Sequence, residues 1–161
     1  MQIEMTIKGL MVDPDTNMPI VILRDKEGQR VLPIWVGLFE ANAIALQIEN
    51  VSTPRPMTHD LLTNVIADLR ATVQKIVVCD LHDNTFYALI YLDARGETVA
   101  IDARPSDAIA LALRTKAPIF VEDGVIDNAK TVNVGSERSE AERLHKWLES
   151  LDPEDLGKYK M

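Results

Sequence analysis

The chain has 161 residues, 47% hydrophobic and 26% charged, which suits one domain with a short appendage and a core of its own. Its 17 basic and 25 acidic side chains leave a formal charge of −8, which argues against nucleic-acid binding through an extended basic surface. A single cysteine rules out an internal disulfide framework, the first residues do not resemble a signal peptide, and no stretch is long enough to span a bilayer, so a cytoplasmic protein without membrane contact is expected.

Ile3, Met5 and Ile7 alternate with Glu4, Thr6 and Lys8, the pattern of a strand with one buried face. The turn-rich link Asp13-Pro-Asp-Thr-Asn17 leads to a second strand over 19–23. After a turn at 25–28, a third strand is expected over 30–36, with Trp35 in the core. Residues 38–49 read as a helix that gathers Ala41, Ile44, Ala45 and Ile48 on one face. A loop follows, stiffened by Pro54 and Pro56 with Arg55 between them.

The next helix has the most regular stripe in the chain, with Thr58 as expected N-cap and Leu61, Leu62, Val65, Ile66 and Leu69 in register. Three strands are predicted over 74–80, 85–93 and 97–102, with Cys79 a small buried hydrophobe in the first. An Ala/Leu helix over 106–114 and a short strand over 118–121 come after them. Beyond Val134 the character changes. A helix is expected there: Ser139 and Glu142 fit a capping box, Leu144, Trp147, Leu148 and Leu151 would make a narrow apolar face, and Pro153 would end it. The chain therefore divides into a domain over 1–134 and a helical tail over 135–161.

Part of the pattern occurs twice. Ala43-Ile-Ala-Leu46 matches Ala108-Ile-Ala-Leu111 at an offset of 65 residues, and the strands before each helix fall into line at that offset. The expected fold is α+β, with a duplicated β-hairpin-strand-helix unit forming a compact sheet packed with helices, plus a C-terminal amphipathic helix.

The second copy concentrates polar chemistry. Asp102, Arg104, Ser106 and Asp107 crowd the turn from strand to helix, where free backbone N–H groups and side chains meet at a sheet edge. The alternative reading is that Ser106 and Asp107 only cap the helix and that Arg104 only pairs with a neighbouring acid. Glu40 and Asn42 occupy the first copy's elbow. His59 and Asp60, in the first turn of the striped helix, are a second candidate pair for proton transfer or ligation. Zinc-type Cys/His spacing, a phosphate-binding glycine loop and a nucleophile elbow are all missing from the sequence.

Three motifs, Leu32-Pro-Ile-Trp-Val-Gly37 with Glu40-Ala, Arg55-Pro-Met-Thr-His-Asp60, and Asp102-Ala-Arg-Pro-Ser-Asp-Ala-Ile-Ala-Leu111, closely resemble those of the bifunctional nuclease family. The resemblance spans roughly residues 1–130. It implies a nuclease acting on both RNA and DNA with little sequence specificity, assisted by Mg²⁺ or Mn²⁺ and associated into dimers or higher homo-oligomers. Carried onto these motifs, it implies catalytic roles for His59, Asp60, Asp102 and Asp107. Glu40, Asp102 and Asp107 would hold metal, and Arg55, Arg104 and Ser106 would contact substrate. The rival reading is a non-catalytic oligomeric scaffold whose polar elbows bind a small anion or a protein partner.

Overall fold

A computed structural model describes residues 1–134; the expected helical tail, 135–161, lies outside the described residues. Three strands, β1 (Gln2–Val12), β2 (Pro19–Asp25) and β3 (Val31–Trp35), lead into helix α1 (Leu38–Ile48). After α2 (Thr58–Asp68) the same order returns as β4 (Ala71–His82), β5 (Thr85–Ala94), β6 (Glu97–Ala103) and α3 (Pro105–Thr115). A short β7 (Ile119–Glu122) and α4 (Asp123–Val134) complete the described chain.

All seven strands form one sheet in the order β3-β2-β1-β7-β4-β5-β6. β7 lies between the two copies, antiparallel to β1 and parallel to β4, so the copies run in opposite directions. A two-fold axis normal to the sheet near β7 would relate them, and it would keep α1 and α3 on the same face, where they pack together.

The duplication reaches into the irregularities. β1 bulges at Lys8, between the pairs Ile7–Leu23 and Gly9–Ile22; β4 bulges at Cys79, between Val78–Ala88 and Asp80–Tyr87. The β2 and β5 partners at these bulges stand 65 residues apart, the offset of the sequence match. A bulge shifts every later side chain to the opposite face, so its recurrence keeps both copies in phase with their helices. β4 carries a second bulge, between Val73 and Lys75, that β1 lacks, and the connections differ. Residues 13–18 join β1 to β2, whereas Asp83 and Asn84, both at positive φ, close the β4–β5 hairpin.

Ile109 and Leu111 of α3 and Ile44 of α1 are fully buried, each contributing roughly 1.5–3 kcal/mol by leaving water. Alanines 41, 43, 45, 108, 110 and 112 between them let the helix backbones approach closely. In β4, Ile76, Val77 and Val78 are buried in succession, so this strand is covered on both faces.

Three expectations need correction. α2 forms where its apolar stripe places it, with none of its residues buried and Leu61 57% exposed. Its N-cap is Met57 rather than Thr58. Trp35 is 42% exposed because its indole N–H donates to Asp13 Oδ2 at 2.9 Å at the sheet margin. Cys79 is only partly buried, since the bulge turns it out of the core, and what burial it has pushes its thiol pKa up. The sequence reading also missed α4, whose Gly124, Asn128 and β-branched residues have weak helix propensity. Val125 and Ile126 anchor that helix by packing in the core.

Candidate functional site

The second elbow is built by proline. β6 ends at Ala103, Arg104 takes an extended conformation, and Pro105 opens α3 where its missing N–H costs nothing. No side chain caps this helix, so the reading of Ser106 and Asp107 as caps is overturned. Ser106 is buried, 6% exposed.

Asp107 instead reaches sideways. Its Oδ1 lies 2.8 Å from His59 Nε2, and its Oδ2 accepts from Arg104 Nε at 2.9 Å. Arg104 Nη2 donates to Glu40 Oε1 at 2.7 Å. The result is a chain, Glu40–Arg104–Asp107–His59, that joins α1, the elbow, α3 and α2. Glu40 and then Asp107, as hydrogen-bond acceptors, raise the Arg104 pKa further above its usual value. Gly37 makes room for this arrangement: a Cβ there would collide with Glu40 Oε2. Gly37 ends the first of the three motifs, though spacing alone assigned it no role.

These residues border a groove of about 820 Å³ between α2, the helix-side face of β5 and β6, and the ends of α1 and α3. Ile90, Leu92 and Ile101 line the sheet side, and Leu61, Leu62 and Val65 line the α2 side. The uncovered stripe of α2 is therefore one wall of an open groove.

Other expected site residues lie elsewhere. Asp60 accepts from the Met57 backbone N–H at 2.9 Å and from Arg114 Nε at 2.7 Å. The Met57 amide first, then Arg114, hold its carboxyl below the usual range against the opposing effect of burial. Arg114, its side chain 4% exposed, also donates to the carbonyls of Ala110 and Ala43, tying α1, α2 and α3 together. Arg114 was missed because a basic residue in a last helical turn already has an ordinary explanation in the helix dipole. Arg55 is exposed and borders a separate cavity with Asp60 and Arg114. Asp102 sits at the groove margin, but strand alternation places its side chain opposite Ile101 and Ala103, on the sheet face away from α3.

The acids implied to bind metal do not fit one in this arrangement. Asp102 projects to the other face, and the space between Glu40 and Asp107 holds the Arg104 guanidinium. Among the described residues no three His, Cys, Asp or Glu side chains gather as a metal site.

Fold and site together define an α+β domain of two β-β-β-α copies, with an acid–arginine–histidine chain at the mouth of an apolar groove. The chain belongs to the bifunctional nuclease domain family, whose model matches residues 21–133. It is 37% identical over 162 residues to an uncharacterized protein of Mycobacterium tuberculosis, covering 95% of this chain and 97% of that one. It is 27% identical over 112 residues to bifunctional nuclease 1 of Oryza sativa subsp. japonica, covering 67% of this chain and 34% of the rice protein. Bifunctional nuclease 2 of Arabidopsis thaliana is 30% identical over 122 residues, covering 68% of this chain and 37% of its own length. The match thus spans about a third of these plant proteins. No helix among the described residues is long and apolar enough to cross a membrane.

Proposed function

We propose that this chain is a cytoplasmic nuclease that hydrolyses phosphodiester bonds of RNA and DNA with little sequence specificity. The observation that carries this reading is the His59–Asp107–Arg104 arrangement, set at the groove mouth in a chain of the nuclease family. The Asp107 carboxylate accepts only, so it favours the tautomer with hydrogen on Nε2 and leaves His59 Nδ1 to take a proton. In hydrolysis a water oxygen bonds to phosphorus and gives its proton to Nδ1. The ester oxygen leaves with the electron pair of the broken P–O bond and is protonated from solvent. Arg104 is 66% exposed and engages the two acids through Nε and Nη2. Its Nη1 bonds neither acid, which suits a non-bridging phosphate oxygen. No step here runs through a metal ion; dependence on Mg²⁺ or Mn²⁺ is a separate point for the same assay.

The test is cleavage of labelled single-stranded RNA and DNA by purified protein with Mg²⁺, Mn²⁺ or EDTA. His59→Gln, shown to be folded, is expected to cut the rate by about 10²–10⁴-fold. Asp102→Ala is expected to retain activity, and its loss there would return the chemistry to the acid set that the resemblance implies. Equal activity in wild type and His59→Gln would sink the proposal. The mostly apolar groove favours a second reading, a non-catalytic oligomeric scaffold for a protein partner. Absence of cleavage under every condition would support it.

A further inference from the structure

The first turn of α2 faces two ways. His59 lines the apolar groove, whereas Asp60 and, one turn on, Asn64 line a second cavity of about 310 Å³ on another flank of the helix. The two cavities differ in chemistry. Aliphatic side chains dominate the groove, while Gln47, Ser52, Thr53, Arg55, Asp60 and Asn64 border the second cavity.

The charges of this cavity are unevenly matched. Arg114, nearly buried, also lines it and directs Nε to Asp60 and its two terminal nitrogens to the Ala110 and Ala43 carbonyls. Asp60 is the acid among the described lining residues, and both its oxygens are engaged, Oδ1 by Arg114 and Oδ2 by the Met57 amide. Arg55 is different. It is exposed, and its guanidinium has no hydrogen bond or ion pair among the described residues. Its backbone is nonetheless held: Thr53 Oγ1 donates to the Arg55 carbonyl at 2.7 Å, and Pro54 and Pro56 restrict the residues beside them. A fixed stem with an unpaired guanidinium, next to an acid that is already neutralised, is arranged for an anion from outside.

We propose that this cavity is a nucleotide subsite, in which Arg55 binds a backbone phosphate of the strand whose neighbouring phosphodiester lies at Arg104 and His59. The inference rests on the nuclease reading of that site. Gln47 and Asn64, whose side-chain amides have no partner among the described residues, would pair with the sugar or the base edge. Ligand clefts begin at roughly 300 Å³, so the cavity suits one nucleotide and not a duplex. A helix with its side chains is about 10–12 Å across, so one strand crossing the first turn of α2 can reach both arginines. A net charge of −8 supplies no general attraction for a polyanion, which leaves affinity to individually placed cations.

The test combines binding and cleavage on the full chain. The Arg55 side chain bonds nothing in the fold, so its variants should match the wild type by circular dichroism. Binding is read by fluorescence anisotropy of a labelled oligothymidylate, in EDTA and on the His59→Gln background that stops cleavage. There Arg55→Ala should weaken binding roughly tenfold, the low end for a hydrogen bond to a charged group. It should also flatten the plot of log K against log salt by about 0.7, the equivalent of one phosphate contact on a single strand. Arg55→Lys keeps the charge and should keep the slope. In cleavage of the same strand, Arg55→Ala alone should raise KM about tenfold and leave kcat unchanged, as expected of a contact made equally in the ground and transition states. With bis(p-nitrophenyl) phosphate, a diester too short to reach the cavity, Arg55→Ala should equal the wild type. Unchanged affinity and slope in Arg55→Ala, or no binding to the parent protein, would overturn the subsite. So would an equal loss on both substrates, which would tie Arg55 to the His59 site instead. If no protein cleaves either substrate, the nuclease reading fails, and the salt slope alone then decides whether the cavity holds a phosphate of the strand.

Discussion

Asp60 and Asp107 are both acids in the first turn of a helix, and their partners separate their roles. Asp107 divides its two oxygens between His59 and Arg104 at an accessible groove mouth. Asp60 instead joins the Met57 amide to a guanidinium only 4% exposed. Asp60→Ala would leave Arg114 buried beside no acid, and it should lower stability by about 3 kcal/mol in urea unfolding. Because the Asp60 pKa is held below its usual value of 3.8, its contribution is complete above that value and is lost as pH falls through the lower folded value. Stability of the wild type should therefore fall more steeply below about pH 4 than that of Asp60→Asn. Parallel curves for the two proteins would show that Asp60 carries no linked stability.

At the scale of elements, α2 and α3 show how far a pattern can be read. Both have apolar residues at helical spacing, and both form where that spacing places them. Periodicity identifies a helix and its apolar face, but it cannot say whether another element covers that face. α3 packs beside α1 on the sheet and buries Ile109 completely, whereas α2 stands over a groove. Ile109→Ala should cost about 2–5 kcal/mol in chemical denaturation, while Leu61→Ser should stay within about 0.5 kcal/mol. A large loss for Leu61→Ser would mean that a second copy or a partner already covers α2. The site was legible to the same degree. The elbow Asp102–Asp107 was identifiable because a strand pattern breaks into a helix there. The link from His59 to Asp107 crosses 48 positions and depends on how α2 sits against α3, which local spacing does not encode. Asp102 borders the same groove, but period-two alternation sets its side chain opposite those of Ile101 and Ala103, which proximity along the chain does not reveal.

Over the whole molecule, the duplication raises the question of whether the two copies unfold as one. Each has three strands and a helix, and among the described residues they share no direct strand pairing; β7 is the strand that pairs with both. A four-residue strand is a narrow bridge, yet Val121 at its centre is fully buried in a core that also includes Leu23 and Ile44 of the first copy and Ile76 and Ile109 of the second. Packing, more than the β7 ladder, joins the halves, as does Arg114 by holding the Ala43 carbonyl. Val121→Ala removes two methyl groups from that shared core and should lower global stability by about 2 kcal/mol. Native-state hydrogen exchange separates the alternatives. If the domain is one cooperative unit, the slowest amides of β1 and of β4 should both lose protection by about 30-fold, the factor equivalent to that loss. If protection fell in β4 alone while β1 kept its own, the copies would be separate folding units joined by a strand, and the shared core would not be what makes the duplicated fold a single domain.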